Sequence, residues 1–175
     1  MAMKILHVEG GSQLYGGALQ VLYLLEGLQQ HGVDNVLVCR RGCTLATRAQ
    51  PFATVSALPL HGDLDVGMIP RLVRVLRQCR PDLVHLHSRI GADVMGGIAA
   101  RLVGIPVVHT RRVDNPERRW VAALKYRLHD RVIAISAGIA AVLQQHLPAD
   151  KVRLVRSAVA AEQYALPCQR DAVLQ

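Results

Sequence analysis

Aromatic side chains are scarce: one Trp, four Tyr and one Phe make 3% of the 175 residues. Single-stranded nucleic acid is usually held on aromatic stacking platforms, so the scarcity argues against that class of ligand. Charged residues are also few, 19% of the chain, against 51% apolar. That balance excludes an intrinsically disordered chain. No apolar run approaches the roughly 20 residues of a bilayer-spanning helix. The opening Met-Ala-Met-Lys-Ile-Leu reaches Glu9 before a secretory apolar core can build, so no signal peptide is expected. Cys39, Cys43, Cys79 and Cys168 include no CxxC pair and no second pair at zinc-finger spacing. Free thiols in a cytoplasmic protein are the expectation.

Positive charge is plentiful. Lys and Arg number 21 against 13 Asp and Glu, a net charge of +8, and the pI is near 9.9. The densest stretch runs from Arg111 to Arg131 and holds Arg111, Arg112, Arg118, Arg119, Lys125, Arg127 and Arg131. Such a balance suits nucleic acid, an anionic membrane surface or a phosphorylated substrate. With no RNP or zinc-finger signature and few aromatics, nucleic acid is not expected as a partner.

The length suits one domain with a real core. Residues 1–164 are expected to form it, with 165–175 a tail or interdomain linker. Short apolar runs alternate with segments of helical period. Strands are expected at Lys4 to Val8, Asn35 to Cys39, Thr54 to Leu58, Asp82 to Leu86, Pro106 to Thr110, Arg131 to Ile135 and Lys151 to Val155. Helices are expected at Ala18 to His31, Asp65 to Gln78, Gly91 to Val103, Pro116 to His129 and Ala137 to His146. Arg71, Arg74 and Arg77 should face solvent. Repeated βα units with continuous apolar strands predict an α/β fold: a Rossmann-like, doubly wound parallel sheet covered by helices on both faces. Ligands of such sheets sit beyond the carboxyl ends of the strands. Functional residues should therefore follow Val8, Leu86, Thr110 and Ile135.

Four segments meet that condition. Glu9 to Gly17 is a glycine-rich βα loop whose backbone and following helix N-terminus suit a phosphate, although an ordinary flexible loop reads the same. Its GGxxxxGG spacing is neither GxGxxG nor a P-loop. The second strand ends in Cys39-Arg40, which counts against NAD and weakly allows NADP. His85 and His87 share one side of a strand. They lack a third metal ligand at defined spacing, so a satisfied pair beside the cleft is preferred to a metal site. His87, Ser88 and Arg89 offer donors to hydroxyls or phosphate. His109 can bond a substrate hydroxyl, and Arg111 and Arg112 can grip phosphate; a solvated basic loop is the bland alternative. Ser136 is expected to cap a helix whose N-terminus faces the cleft. No nucleophile elbow or paired carboxylates stand out.

Taken in order, KILHVEGGSQLYGGALQVLYLLEGLQQHG, PDLVHLHSRIGADVMGGIAARLVGIPVVHTRR and DRVIAISAGIAAVLQQHLPADKVRLVRSAV resemble the N-terminal half of a family 4 (group 1) retaining glycosyltransferase of the GT-B type. HSR and the Arg-Arg-Val-Asp-Asn-Pro run are similar to lipopolysaccharide or cell-envelope sugar transferases. The resemblance implies sugar transfer from a nucleotide-sugar to a glycan or lipid-linked acceptor with retention of configuration, with no cofactor and no metal. It implies that Gly16 and Gly17 meet the donor diphosphate, that His109 is the catalytic residue near the transferred sugar, and that His87, Ser88, Arg89, Arg111 and Arg112 line the acceptor side. It also implies a second, donor-binding domain carrying two closely spaced glutamates. The glutamates here are Glu9, Glu26, Glu117 and Glu162, and the hinge reads Ser157-Ala158-Val159-Ala160 instead of the family's NGVD. The donor-binding domain is expected to be absent and the chain alone inactive, as a truncated enzyme or as half of a split one. Two other readings are a basic module binding anionic membrane, peripheral on the inner face of the plasma membrane, and an NADP-binding domain.

Overall fold

A computed structural model describes residues 2–62, 64–87, 91–115 and 117–161. Its strands are β1 (Lys4–Glu9), β2 (Asp34–Arg40), β3 (Thr54–Leu58), β4 (Leu83–Leu86), β5 (Val107–Arg111), β6 (Arg131–Ala134) and β7 (Val152–Leu154). Its helices are α1 (Gly16–Gln30), α2 (Thr44–Arg48), α3 (Met68–Cys79), α4 (Ala92–Val103), α5 (Arg119–Tyr126) and α6 (Ala137–Gln144), with a 3-10 turn at Ala149–Lys151. The strands form one sheet in the order β3-β2-β1-β4-β5-β6-β7, and every pairing is parallel. The doubly wound α/β architecture read from the sequence is therefore the architecture found.

The strands are apolar because both faces are buried. On one face Leu6, Val8, Val36, Val38, Val84, Leu86 and Val107 pack against Met68, Leu72 and Leu76 of α3 and the small residues Ala92, Ala99 and Ala100 of α4. Further along that face, Val132, Ala134 and Val152 pack with Ala122, Tyr126, Ile139 and Leu143. On the other face Leu37 and Cys39 pack under α1 and α2. Helix α4 lies close to its neighbours because Gly96 and Gly97 carry no side chain. A Cβ on Gly96 would come within 2.7 Å of Leu86 Cδ2, and one on Gly97 within 2.9 Å of Leu128 Cβ.

Three expectations need correction. Coverage by helices, among the described residues, is uneven: on the α1 face a groove of about 480 Å³ runs between α1 and Ile133, Ile135, Val155 and Ser157. Helix α5 is shorter than Pro116 to His129 and starts at Arg119. Arg71, assigned to solvent, is half-buried against Asp65; Lys125, in the basic stretch, is buried against Asp93 and Glu117. Helical period marks which residues share a face, but it carries no information on which loop folds over that face.

From β1 the chain builds outward through β2 to β3, then returns to the far side of β1 for β4. The connections diverge beyond the carboxyl ends of β1 and β4, which opens a crevice there.

Candidate active-site cleft

A cavity of about 200 Å³ occupies that crevice, lined by Glu9 from β1, Gly17 from α1, His87 after β4, and His109, Thr110, Arg111, Arg112 and Val113 at the end of β5, with Glu117 and Lys125 behind. Whole small-molecule sites usually enclose about 300–1,000 Å³, so this cavity accommodates part of a ligand.

Helix α1 opens towards it without a capping side chain: Tyr15 makes no cap hydrogen bond and the first turn has no acid. Its leading N–H groups and positive dipole end thus favour an anion. Neither Gly16 nor Gly17 has a positive φ, and a Cβ at Gly16 would meet nothing within 4 Å. Backbone strain and packing therefore do not demand glycine at either position. A Cβ at Gly17 would stand 3.6 Å from Arg112 Cδ, so the Arg112 side chain leans over this helix end. The Arg112 Nε is buried without a hydrogen-bond partner among the described residues. Burial lowers the Arg112 pKa, and the Glu9 carboxylate partly restores it.

Arg111 behaves differently from its neighbour. Its Nε donates to Val113 O at 2.8 Å, its Nη1 to Glu117 Oε2 at 2.5 Å and to Tyr126 OH at 2.6 Å, and its Nη2 to Asn115 O. Most of its donors are thus spent inside the wall. Glu117 also accepts from Lys125 Nζ at 2.5 Å, and Lys125 reaches Asp93 at 3.3 Å. Burial alone would raise the Glu117 pKa, but Lys125 and Arg111 bring it below the usual carboxylate range. For Asp93, burial wins and its pKa rises. Glu117, Lys125 and Asp93 were missed in the sequence; Glu117 lies just before α5 and Lys125 near its end, and only the fold shows that both turn inward.

His109 is buried. Its ring stacks on His129 with centroids 4.9 Å apart, and its Nδ1 has no partner among the described residues. Burial, with the nearby His129 and Lys125, holds its pKa well below the ordinary value, so the ring is neutral. It can exchange a hydrogen bond with a hydroxyl, but it does not offer a cation.

His87 lies on the opposite face of the sheet from His109, because Leu86 pairs with His109 in register and successive residues alternate. Both reach the cavity over the sheet edge. His85 follows the same alternation and joins His87 and His7 in a three-histidine group. The third nitrogen ligand lacking from the HxH motif thus stands on β1. Ser136 caps α6, its Oγ accepting from Ile139 N at 3.2 Å, and it is not among the cavity-lining residues. Ser88 and Arg89 lie outside the described residues, as does the 165–175 tail.

Solved structures share this fold at low sequence identity. HepE of Anabaena, in complex with UDP and glucose, superposes with a TM-score of 0.76 at 16% identity, over 98% of this chain and 49% of that one. A glycosyltransferase from Rickettsia africae gives 0.72 at 15% identity, over 99% and 48%. The UDP-GlcNAc 2-epimerase of Neisseria meningitidis, bound to UDP-GlcNAc, gives 0.69 at 18%, over 99% and 53%. The chain spans about half the length of these relatives. An epimerase beside a glycosyltransferase also shows that this fold alone does not select a reaction. No curated protein matches the sequence. The family model described as Glycosyltransferase Family 4 matches residues 15–163. That match takes in the Gly16-Gly17 helix start, the His85–His87 strand end and the His109 to Arg112 cleft wall, and the chain belongs to glycosyltransferase family 4.

Proposed function

We propose that the chain supplies the acceptor-side wall and part of the donor-diphosphate site of a sugar transferase. The enzyme moves a sugar from a nucleotide-sugar to a glycan or lipid-linked acceptor with retention, in lipopolysaccharide or cell-envelope synthesis. One observation carries the reading: the uncapped start of α1, the Arg112 side chain and the neutral His109 ring meet in one cavity at the sheet's switch point. Gly16 and Gly17 leave room for a diphosphate at the helix end, with Arg112 above it. His109 bonds the transferred sugar. His87, with Ser88 and Arg89, serves acceptor binding, and Arg111 holds the wall. Catalysis comes from positioning and from stabilising the charge that develops on the leaving diphosphate. The reaction calls for no metal or other cofactor. Because the cavity takes only part of a ligand, a second domain completes the site and this chain by itself is inactive.

The test is to join the chain to a family 4 donor-binding domain, or to add that domain in trans, and to assay transfer from UDP-sugars. Transfer is expected, and it should vanish in a folded His109→Ala variant. A well-folded two-domain assembly that stays inactive with a broad set of donors and acceptors overturns the reading.

A membrane role rests on a separate observation. Trp120 and Leu124 are exposed one turn apart on α5 at 67% and 63%, and Arg118, Arg119 and Arg127 are exposed beside them. An apolar strip with flanking guanidiniums suits the interface of an anionic bilayer, which would put the protein peripherally on the inner face of the plasma membrane. Vesicles containing phosphatidylglycerol should shift the fluorescence of Trp120, the sole tryptophan, and salt should reverse the shift. An equal response to neutral vesicles removes the role.

A further inference from the structure

We infer that His7, His85 and His87 form a three-histidine site for a divalent transition metal of the zinc class, built across β1 and β4 beside the cleft. The motif that suggests metal binding, His-Leu-His, is incomplete in the sequence. The parallel pairing of β1 with β4 sets His7 directly beside His85, and the 87 backbone N–H donates to Val8 O at 3.0 Å, which holds His87 to the same edge. One ligand nitrogen from each ring lies within 4.8 Å of the others. Two nitrogens on one tetrahedral zinc stand about 3.3 Å apart, given Zn–N bonds of about 2.0–2.1 Å. Small side-chain rotations close that gap.

The hydrogen bonds around the rings set the tautomer of the first. Asn35 Nδ2 donates to Leu25 O at 2.9 Å and to Phe52 O at 3.2 Å. The orientation of its amide is therefore settled, and Oδ1 faces His7 Nε2 at 3.3 Å. His7 must donate from Nε2. Burial holds this ring neutral, with a pKa of about 4 against a weaker upward pull from Asn35, so its Nδ1 carries a bare lone pair aimed at His87. His87 Nε2 sits 2.9 Å from that atom. A divalent cation between these two nitrogens takes both lone pairs once His87 carries its proton on Nδ1.

Outside the rings, Asn35 orients His7, and Thr110 Oγ1 meets His85 Nε2 at 2.7 Å. Distal nitrogens held by oxygen partners are what metal-binding imidazoles require to keep their orientation. Arg112 opposes a cation here, since it disfavours a positive charge on both His85 and His87. Glu9 interacts with that Arg112 charge and offsets it. Three neutral imidazoles favour zinc, cobalt or nickel over magnesium or calcium, and three protein ligands leave a coordination position for water or ligand.

The test is titration of the metal-stripped chain with Co2+ and Zn2+, read by Co2+ visible absorption and by calorimetry. One ion per chain with an absorption spectrum of nitrogen ligation is expected. His87→Gln should weaken binding at least about 100-fold, and Thr110→Val, which keeps the side-chain shape, about 10–100-fold. Should His87→Gln fail to fold, Thr110→Val alone decides. Binding that is unchanged in a folded Thr110→Val or His87→Gln variant, or that disappears when His31, His61 and His146 are replaced by Gln, overturns the site. So does the absence of any binding by the unaltered chain. None of these outcomes depends on sugar transfer.

Discussion

Arg111 and Glu117 meet at 2.5 Å inside the wall of the cleft, whereas the adjacent Arg112 keeps a buried Nε that has no partner among the described residues. Two neighbouring arginines, alike in sequence, thus do different work. Removing one member of a buried pair leaves the other charge uncompensated, at about 3–5 kcal/mol when burial is complete. Glu117 retains 17% side-chain exposure, so Glu117→Gln should cost about 2–4 kcal/mol in urea denaturation. Arg112→Ala should change stability by about 1 kcal/mol or less and lower sugar transfer in the two-domain enzyme. A reversed pattern would exchange their roles.

Acid should weaken the fold before it touches most carboxylates. Burial, against a weaker upward pull from its bond to Asp93 O, lowers the His129 pKa from 6.5 to about 4. Below 6.5 the unfolded chain therefore binds more protons than the folded one. Stability is full above that pH and falls as pH drops from 6.5 towards 4. The slope approaches about 1.4 kcal/mol per pH unit for each such histidine. The lowered Glu117 pKa continues the loss at lower pH, with the same sign. Thermal unfolding at a series of pH values should show a flatter limb between 6.5 and 4 in His129→Gln.

Glycines in α1 and α4 should answer differently to alanine. At Gly97 the new Cβ meets Leu128 Cβ at 2.9 Å and His129 Nε2 at 3.3 Å, and a Cβ cannot swing away. Gly97→Ala should cost about 1–3 kcal/mol in chemical denaturation. Gly16→Ala finds open space and should leave the melting temperature unchanged or raised. Sugar transfer by the two-domain enzyme should nevertheless fall, because the methyl group occupies ligand space.

Ser136 tests a purely local role. Its Oγ accepts from Ile139 N, so Ser136→Ala should cost about 1 kcal/mol, with KM and kcat of the assembled enzyme unchanged. A change in KM at constant stability would bring Ser136 into the cleft.

The five predicted strand-to-helix boundaries agree with the structure to within a few residues, because near-continuous apolar strands such as KILHV and NVLVC can only be buried on both faces. The short helix Thr44–Arg48 was not foreseen; five residues are too few to establish a helical period. In the basic stretch from Arg111 to Arg131, Arg111 was expected to grip phosphate or line the acceptor side, and no inward role was read for Lys125. Arg111 and Lys125 instead turn inward, since Glu117 and Asp93 offer them partners that no local pattern reveals.

Local pattern was enough to determine the parallel α/β sheet and the edge on which the site lies, since strand burial, turn chemistry and strand-end geometry are short-range properties. Tertiary structure alone decided which cations are spent inside the wall, where a groove opens beside α1 among the described residues, and that His7 stands beside a histidine pair 80 residues away. Those outcomes depend on desolvation and on the pairing of β1 with β4, and both arise from contacts between segments distant in the chain.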